Sequence, residues 1–155
     1  MSLAIIFSRA KAGINAPLVT VEVHISNGLP GLAIVGLPEA AVKESKDRVR
    51  SALINSHFEF PTRRITVNLA PADLPKEGGR FDLPIALGIL VASGQIPIKA
   101  IDSYEFLGEL ALGGDIRPIN GVLTAALSCS NDRRTLIIPA DNSEEAALID
   151  KLVVF

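Results

Sequence analysis

The segment from Leu83 to Ala92 carries ten consecutive uncharged residues and is apolar nearly all round. A helix without a polar face is stable only when it is buried on several sides. The rest of the chain must therefore supply packing layers around it. A length of 155 residues, 48% of them hydrophobic, is sufficient for one domain with such a core.

Strict alternation of apolar and polar residues predicts two strands with one buried face, at Val19–Ser26 and Arg64–Leu69. Shorter runs predict further strands at Leu3–Phe7, Leu32–Val35, Tyr104–Leu110, Ile116–Pro118, Leu136–Pro139 and Leu152–Phe155. Asn27-Gly28 is typical of a hairpin turn joining the second and third strands, and Gly113-Gly114-Asp115 of a second one.

Helices are predicted over Glu39–Ser56, over Leu83–Ala92, from Asn120 or Gly121 to Ser130, and from Ser143 onward. Asp82 occupies the position expected of an N-cap for the apolar helix. This order of strands and helices predicts an α/β fold, an α+β sandwich with a mixed sheet.

Composition excludes several classes of function. The net charge of −2 gives no general attraction to nucleic acid or to anionic membranes. Cys129 is the single cysteine, which indicates a reducing compartment, and we expect a cytoplasmic protein. His24 and His57 lack the partners of a metal site, so no metal is expected. No apolar run approaches the roughly 20 residues that span a bilayer, so no membrane partner is expected.

Two segments in matching order resemble the proteolytic domain of Lon proteases. They are Pro75-Lys-Glu-Gly78, which leads into the apolar helix, and Leu107-Gly-Glu-Leu through Arg117-Pro-Ile-Asn-Gly121. The resemblance implies a fold shared with Lon proteolytic domains and with domain 2 of ribosomal protein S5. It places Arg80 where Lon has its serine nucleophile and Leu123 where Lon has its lysine. Since neither side chain can do that chemistry, we expect no enzyme activity from this chain.

A second resemblance covers residues 2 to 139. The runs Val21-Glu-Val-His-Ile-Ser-Asn-Gly-Leu-Pro-Gly-Leu32 and Ile65-Thr-Val-Asn-Leu-Ala-Pro-Ala-Asp-Leu-Pro-Lys-Glu-Gly78 are similar to the N-terminal domain of the magnesium chelatase-like ComM/YifB family. This implies that residues 1–155 are a single Lon-like domain excised from a longer chain with a downstream AAA+ module in the same chain.

For the full-length protein the family resemblance implies a hexameric ATPase that uses ATP and Mg²⁺ in DNA branch migration during natural transformation. This chain contains no Gly-x-x-x-x-Gly-Lys-Ser/Thr motif, so no cofactor is expected here. Two alternatives stay open: a stand-alone protein-interaction module, and a residual hydrolase on a Lon-like fold.

Two sets of residues are candidates for contact. The first is a contact loop for the motor, a neighbouring subunit or phosphate, consisting of Lys76, Glu77, Gly78, Gly79 and Arg80. The second is a set of arginines that would contact DNA phosphates if they converge in space, consisting of Arg48, Arg50, Arg63, Arg64, Arg133 and Arg134. The alternative for both sets is a surface with solvated charges, the loop serving only as a connection.

Overall fold

The computed structural model describes residues 2–36, 38–147 and 153–154, with side chains to residue 147. The strands are β1 (Ser2–Arg9), β2 (Leu18–Ser26), β3 (Gly31–Val35), β4 (Arg64–Ala70), β5 (Tyr104–Phe106), β6 (Glu109–Leu110), β7 (Ile116–Arg117), β8 (Thr135–Ile138) and β9 (Val153–Val154). The helices are α1 (Ala40–Lys43), α2 (Ser45–Asn55), α3 (Asp82–Ala92), α4 (Val122–Asn131) and α5 (Ser143–Ala146).

Seven strands form one mixed sheet in the order β3-β4-β2-β1-β5-β8-β9, and β6 and β7 form a separate two-stranded sheet. In the large sheet β2 is antiparallel to both of its neighbours, whereas all other pairs are parallel. The prediction of an α/β fold with a mixed sheet is confirmed.

The apolar helix predicted from the sequence is α3, and it is buried as expected. It packs on β1 and β2, and nine of its eleven residues are buried. A Cβ added at Gly88 would lie 2.4 Å from Cγ2 of Val23, so the helix approaches the sheet more closely than a larger residue allows. The inward residues of β2 and β4 predicted from alternation are fully buried.

Helix α4 covers the opposite face of the sheet at β8. Successive strand residues point to opposite faces, and in β8 Ile137 joins the large core whereas Leu136 and Ile138 join a second cluster with α4. The sheet is therefore packed on both faces at this end.

The hairpin predicted at Asn27-Gly28 is wrong. The chain reverses there, but β4 lies between β2 and β3 and pairs with both. Asn27-Gly28 favours a reversal of the chain. The strand that pairs with both β2 and β3 is β4, which begins 33 residues after the start of β3 at Gly31. A local turn signal contains no information about such a later insertion.

The predicted strand Tyr104–Leu110 is also wrong as a single element. Its first part is β5 and its second part is β6, which pairs with β7 in the separate sheet. The change of sheet occurs at Gly108, where the backbone passes close to two side chains. A Cβ there would lie 3.0 Å from Ile116 and 3.3 Å from Leu83. The turn predicted at Gly113-Gly114-Asp115 is confirmed.

The helix predicted over Glu39–Ser56 is divided into α1 and α2 at Glu44. Its buried stripe of Val42, Val49, Ala52 and Leu53 is as predicted. The predicted strand at the end of the chain is present as β9, while residues 152 and 155 lie outside the described residues.

Asp82 is not an N-cap, contrary to the sequence-based prediction. It lies inside the first turn of α3, its side chain makes no capping hydrogen bond, and the residue is fully buried. Its carboxylate accepts hydrogen bonds from Nε of Arg48 at 2.6 Å, from the hydroxyl of Ser45 and from the backbone N–H of Leu110 at 3.1 Å. The carboxylate thus joins α2, α3 and β6.

Replacing Asp82 with Asn should destabilise the chain by about 2–3 kcal/mol. The change leaves the half-buried guanidinium of Arg48 with only the exposed, more distant Glu44 as counter-charge, and breaking a buried pair is costly. Urea unfolding measures the loss, with Asp115→Asn as an exposed control expected within about 0.5 kcal/mol of the wild type. Equal unfolding midpoints for the two variants would contradict this role.

Candidate functional site

A cleft of about 370 Å³ opens where β1, β3, β4 and β5 end. Its polar lining comprises Lys11, Glu39, Glu77, Arg80, Glu109 and Asn120. In open α/β sheets ligands usually bind at this carboxyl edge of the parallel strands. The cleft contains most of the predicted contact loop, so it is the first candidate site.

Arg80 is 6% exposed and forms part of the cleft wall. Its guanidinium donates to the backbone carbonyl of Arg9 at 3.4 Å and to that of Asn120. Burial lowers the pKa of Arg80, and the nearby Glu77 partly opposes this shift. The side chain remains a cation, because arginine does not lose its proton in proteins. The position therefore holds a fixed charge bound to the main chain.

Leu123 lies in the first turn of α4 and is 37% exposed. Its backbone N–H donates to the carboxylate of Glu145 at 3.0 Å. The side chain has no group that accepts a proton. The two positions aligned with the Lon dyad therefore provide neither a nucleophile nor a base.

Lys76 is fully buried, which is unusual for a lysine. Its ammonium donates to the carbonyl of Gly36 at 2.6 Å and to that of Pro71, and its own carbonyl accepts from the N–H of Glu39 at 3.0 Å. Desolvation lowers the pKa of Lys76, with Asp73 opposing the shift. Lys76 thus ties the segment after β3 to the loop before α3.

Solvated charges, the alternative considered for this loop, do not describe Lys76 or Arg80. Both side chains point inward, whereas Glu77 is exposed and Gly78 and Gly79 are half-buried. The role of the loop as a contact surface stays a prediction. In this conformation such a contact would involve Glu77 and the glycine backbone.

The loop does not offer the free N–H groups of a phosphate site at the start of α3. The N–H of Asp82 donates to Gly79 at 3.1 Å, and that of Leu83 donates to Gly108 at 3.0 Å. Anion binding at a helix terminus needs unpaired N–H groups. The N–H groups of Asp82 and Leu83 are therefore not available for a phosphate at the start of α3.

Two of the six candidate arginines are held in ion pairs. Arg48 binds Asp82, and Nε of Arg134 lies 2.9 Å from the fully buried carboxylate of Glu105. The guanidinium of Arg134 also lies 4.6 Å above the ring of Phe7. These two side chains stabilise the fold and are poorly available to DNA.

Three other arginines are exposed and lie around one segment, Phe60–Thr62. Arg50 lies 5.7 Å above the ring of Phe60, Arg63 follows this segment directly, and Arg64 begins β4. Lys46 lies one turn before Arg50 on α2, and both line a surface depression beside Phe60. Sequence analysis missed Lys46, although its spacing of four residues from Arg50 places both on one helix face.

Arg133 is exposed with a φ of 58° in the turn between α4 and β8. Since β4 and β8 are four strand positions apart in the sheet, Arg133 is roughly 19 Å across the sheet from Arg64. The six arginines therefore do not converge on one surface.

Sequence analysis also missed a buried network around Glu105. Arg9, 3% exposed, donates to this carboxylate through Nε at 2.7 Å and Nη2 at 3.0 Å. Cys129 packs against the same carboxylate, and burial, with Glu105 adding to the effect, raises the pKa of its thiol to about 12. These contacts join β1, β5 and α4.

Among the described residues no group of three or more His, Cys, Asp or Glu side chains is placed to hold a metal ion. Within the same part of the chain no helix combines the length and the hydropathy needed to cross a bilayer.

The stability of the chain should rise with pH in a way that depends on Lys76. Its pKa in the folded state lies below its ordinary value of 10.5. Below the pKa of the folded state, the full cost of burying the charged amine is present. Between that pKa and 10.5 the unfolded chain binds more protons than the folded chain, so the cost decreases as pH rises and is absent above 10.5.

Urea unfolding of the wild type and of Lys76→Met at pH 7 to 10.5 tests this expectation. The difference in unfolding free energy should shift in favour of the wild type as pH rises. Lys99→Met controls for loss of an exposed lysine. A difference that is constant with pH would show that the burial of Lys76 does not alter its protonation.

Comparison with known proteins places these features in a family. A profile described as subunit ChlI of Mg-chelatase matches residues 21–142. Competence protein ComM of Haemophilus influenzae is 60% identical over 149 residues, covering 96% of this chain and 29% of that protein. The uncharacterized protein YifB of Salmonella typhimurium is 56% identical over 151 residues, covering 97% and 30%.

This chain therefore spans less than a third of the length of these curated relatives. A Lon protease of Chloroflexus aurantiacus is more distantly similar, at 27% identity over 138 residues that cover 83% of this chain and 16% of the protease. Both resemblances inferred from the sequence are confirmed. The chain belongs to the magnesium chelatase-like ComM/YifB family, within which it corresponds to a Lon-like domain.

Proposed function

We propose that this chain is a noncatalytic Lon-like domain that supports an AAA+ motor acting on DNA. The observation that carries the proposal is the buried guanidinium of Arg80 at the position of the Lon nucleophile. A serine-lysine dyad requires a hydroxyl beside a neutral amine. Here a fixed cation bound to the carbonyls of Arg9 and Asn120 takes the place of the hydroxyl.

Lys76 does not replace the missing base. Although burial lowers its pKa, its amine is fully buried and donates to Gly36 and Pro71. A general base must come within hydrogen-bond reach of the proton that it removes. The fully buried amine of Lys76 does not meet this requirement in the described conformation.

The motor is proposed from the family. The matched relatives are roughly three times as long as the region that they share with this chain. We assign ATP, Mg²⁺ and assembly into a hexamer to an AAA+ module in the same full-length chain, in the cytoplasm. The printed name of the Haemophilus relative, a competence protein, supports a role in DNA branch migration during natural transformation. We propose no separate cofactor for this chain, because its cysteine, histidine and charge patterns do not indicate one.

The noncatalytic assignment predicts that no serine of the folded chain reacts with a fluorophosphonate probe and that casein stays intact. Both absences follow from the lack of a serine beside a neutral amine at positions 80 and 123. Labelling resolved by mass spectrometry is the measurement, with an active Lon protease as positive control. Labelling of any serine in the folded chain, absent after denaturation, would overturn the assignment in favour of a hydrolase.

The motor assignment has a separate test in the gene. A Gly-x-x-x-x-Gly-Lys-Ser/Thr motif is expected in the same reading frame about 60–80 residues beyond Phe155. A reading frame that ends without this motif would instead support a stand-alone protein-interaction module.

A further inference from the structure

We propose that Lys46, Arg50, Arg63 and Arg64 form a surface, here called the basic groove, that binds the phosphodiester backbone of DNA. The proposal deepens the proposed function and rests on it for the choice of DNA as the polyanion. The groove lies at the amino ends of β3 and β4, opposite the edge that holds the cleft with Arg80.

The four cations come from two segments, α2 and residues 63–64, and three of them line depressions beside residues 60–62. Lys46 and Arg50 lie on α2 and line a depression of about 310 Å³ together with Gly31 and Phe60. Arg63 lines an adjoining depression of about 890 Å³ that shares Phe60, Pro61 and Thr62. Two connected depressions provide a path for an extended chain.

Arg64 completes the group from the side of β3. Its Nη1 lies 3.9 Å from the position that a Cβ on Gly31 would occupy, so the guanidinium extends over the start of β3. The N–H of Gly31 donates to the carbonyl of Arg63 at 3.3 Å, which holds the two segments together. Arg63 and Arg64 are thus held beside the start of β3.

These side chains are available for binding. None of the ion pairs found within residues 2–36 and 38–147 involves Lys46, Arg50, Arg63 or Arg64. Arg63 donates only to the exposed side chain of Asn27, and Arg50 lies over a ring. Both contacts leave guanidinium N–H groups for an incoming oxygen, which a fork of donors binds in bidentate fashion.

The local charge is positive although the chain carries a net charge of −2. Two carboxylates, Asp47 and Glu59, also line the two depressions and reduce the field. Three cations line the depressions, Arg64 lies beside them, and only two anions oppose them, which favours a polyanion. A sequence-independent contact of this kind binds with a Kd of about 10⁻⁴–10⁻⁶ M. Phosphodiester binding therefore depends on salt and is independent of base sequence.

The test is a fluorescence anisotropy titration of the chain with a 20-base-pair DNA duplex and with a single strand, at 50 and 200 mM NaCl. The combined variant Arg50→Gln, Arg63→Gln and Arg64→Gln should weaken binding at least tenfold at 50 mM. It should also reduce the slope of log K against log salt by about 2–3, since each lost phosphate contact accounts for about 0.9.

Two single variants provide matched controls. Arg133→Gln removes an exposed arginine distant from the groove and should leave binding within twofold of the wild type. Glu59→Gln removes a negative charge from the groove and should therefore tighten binding. The substitution keeps the hydrogen bonds to Gln95, because they are made by the backbone of Glu59 and not by its carboxylate. Circular dichroism and thermal unfolding establish that each variant is folded.

Several outcomes would overturn the proposal. They are no binding by the wild type at 50 mM, equal losses from Arg133→Gln and the groove variant, or weaker binding by Glu59→Gln. Displacement of DNA by polyglutamate at an equal concentration of charge would assign the groove to an acidic polypeptide. None of these outcomes alters the serine-probe or reading-frame result. The proposed function is therefore tested independently of DNA binding by the basic groove.

Discussion

The carboxylate of Asp82 is the contact on which the arrangement around α3 depends. The sheet alone positions α3 through apolar packing, which does not distinguish closely related orientations. Asp82 adds directional contacts to Ser45 and Arg48 on α2 and to the backbone of Leu110 in β6. A buried carboxylate is stable only when hydrogen-bonded and paired. The helix, its neighbour and the small sheet therefore have one favourable arrangement that satisfies it.

In the cleft and its loop, two buried cations are bound by the main chain. Two cations, Lys76 and Arg80, enter the interior and find only backbone carbonyls as hydrogen-bond partners. Such contacts connect the ends of β1 and β3 with the loop before α3 and the loop before α4. Lys76 and Arg80 are therefore engaged within the chain, whereas Lys11 in the cleft and the cations of the basic groove at the other edge of the sheet are exposed or line open depressions.

Much of the fold was predictable because buried positions of strands and helices require apolar residues at regular spacings in the sequence. Alternation in Val19–Ser26 and Arg64–Leu69 predicted the central strands, and the unbroken apolar run predicted the buried helix α3. The predicted hairpin was wrong because β4 inserts between β2 and β3. Likewise, the break at Gly108 depends on the packing of Leu83 and Ile116, which are distant in sequence.

Charged residues show the limit of the sequence most clearly. Arg48 and Arg50 are two positions apart, yet one is paired with a buried carboxylate and the other is exposed. The sequence alone was enough to identify the family, to place Arg80 and Leu123 at the positions that resemble the Lon dyad, and to locate most of the strands and helices. Which cations are buried, paired or available follows from the fold, because the solvation and pairing of a charge depend on residues that come together from distant parts of the chain.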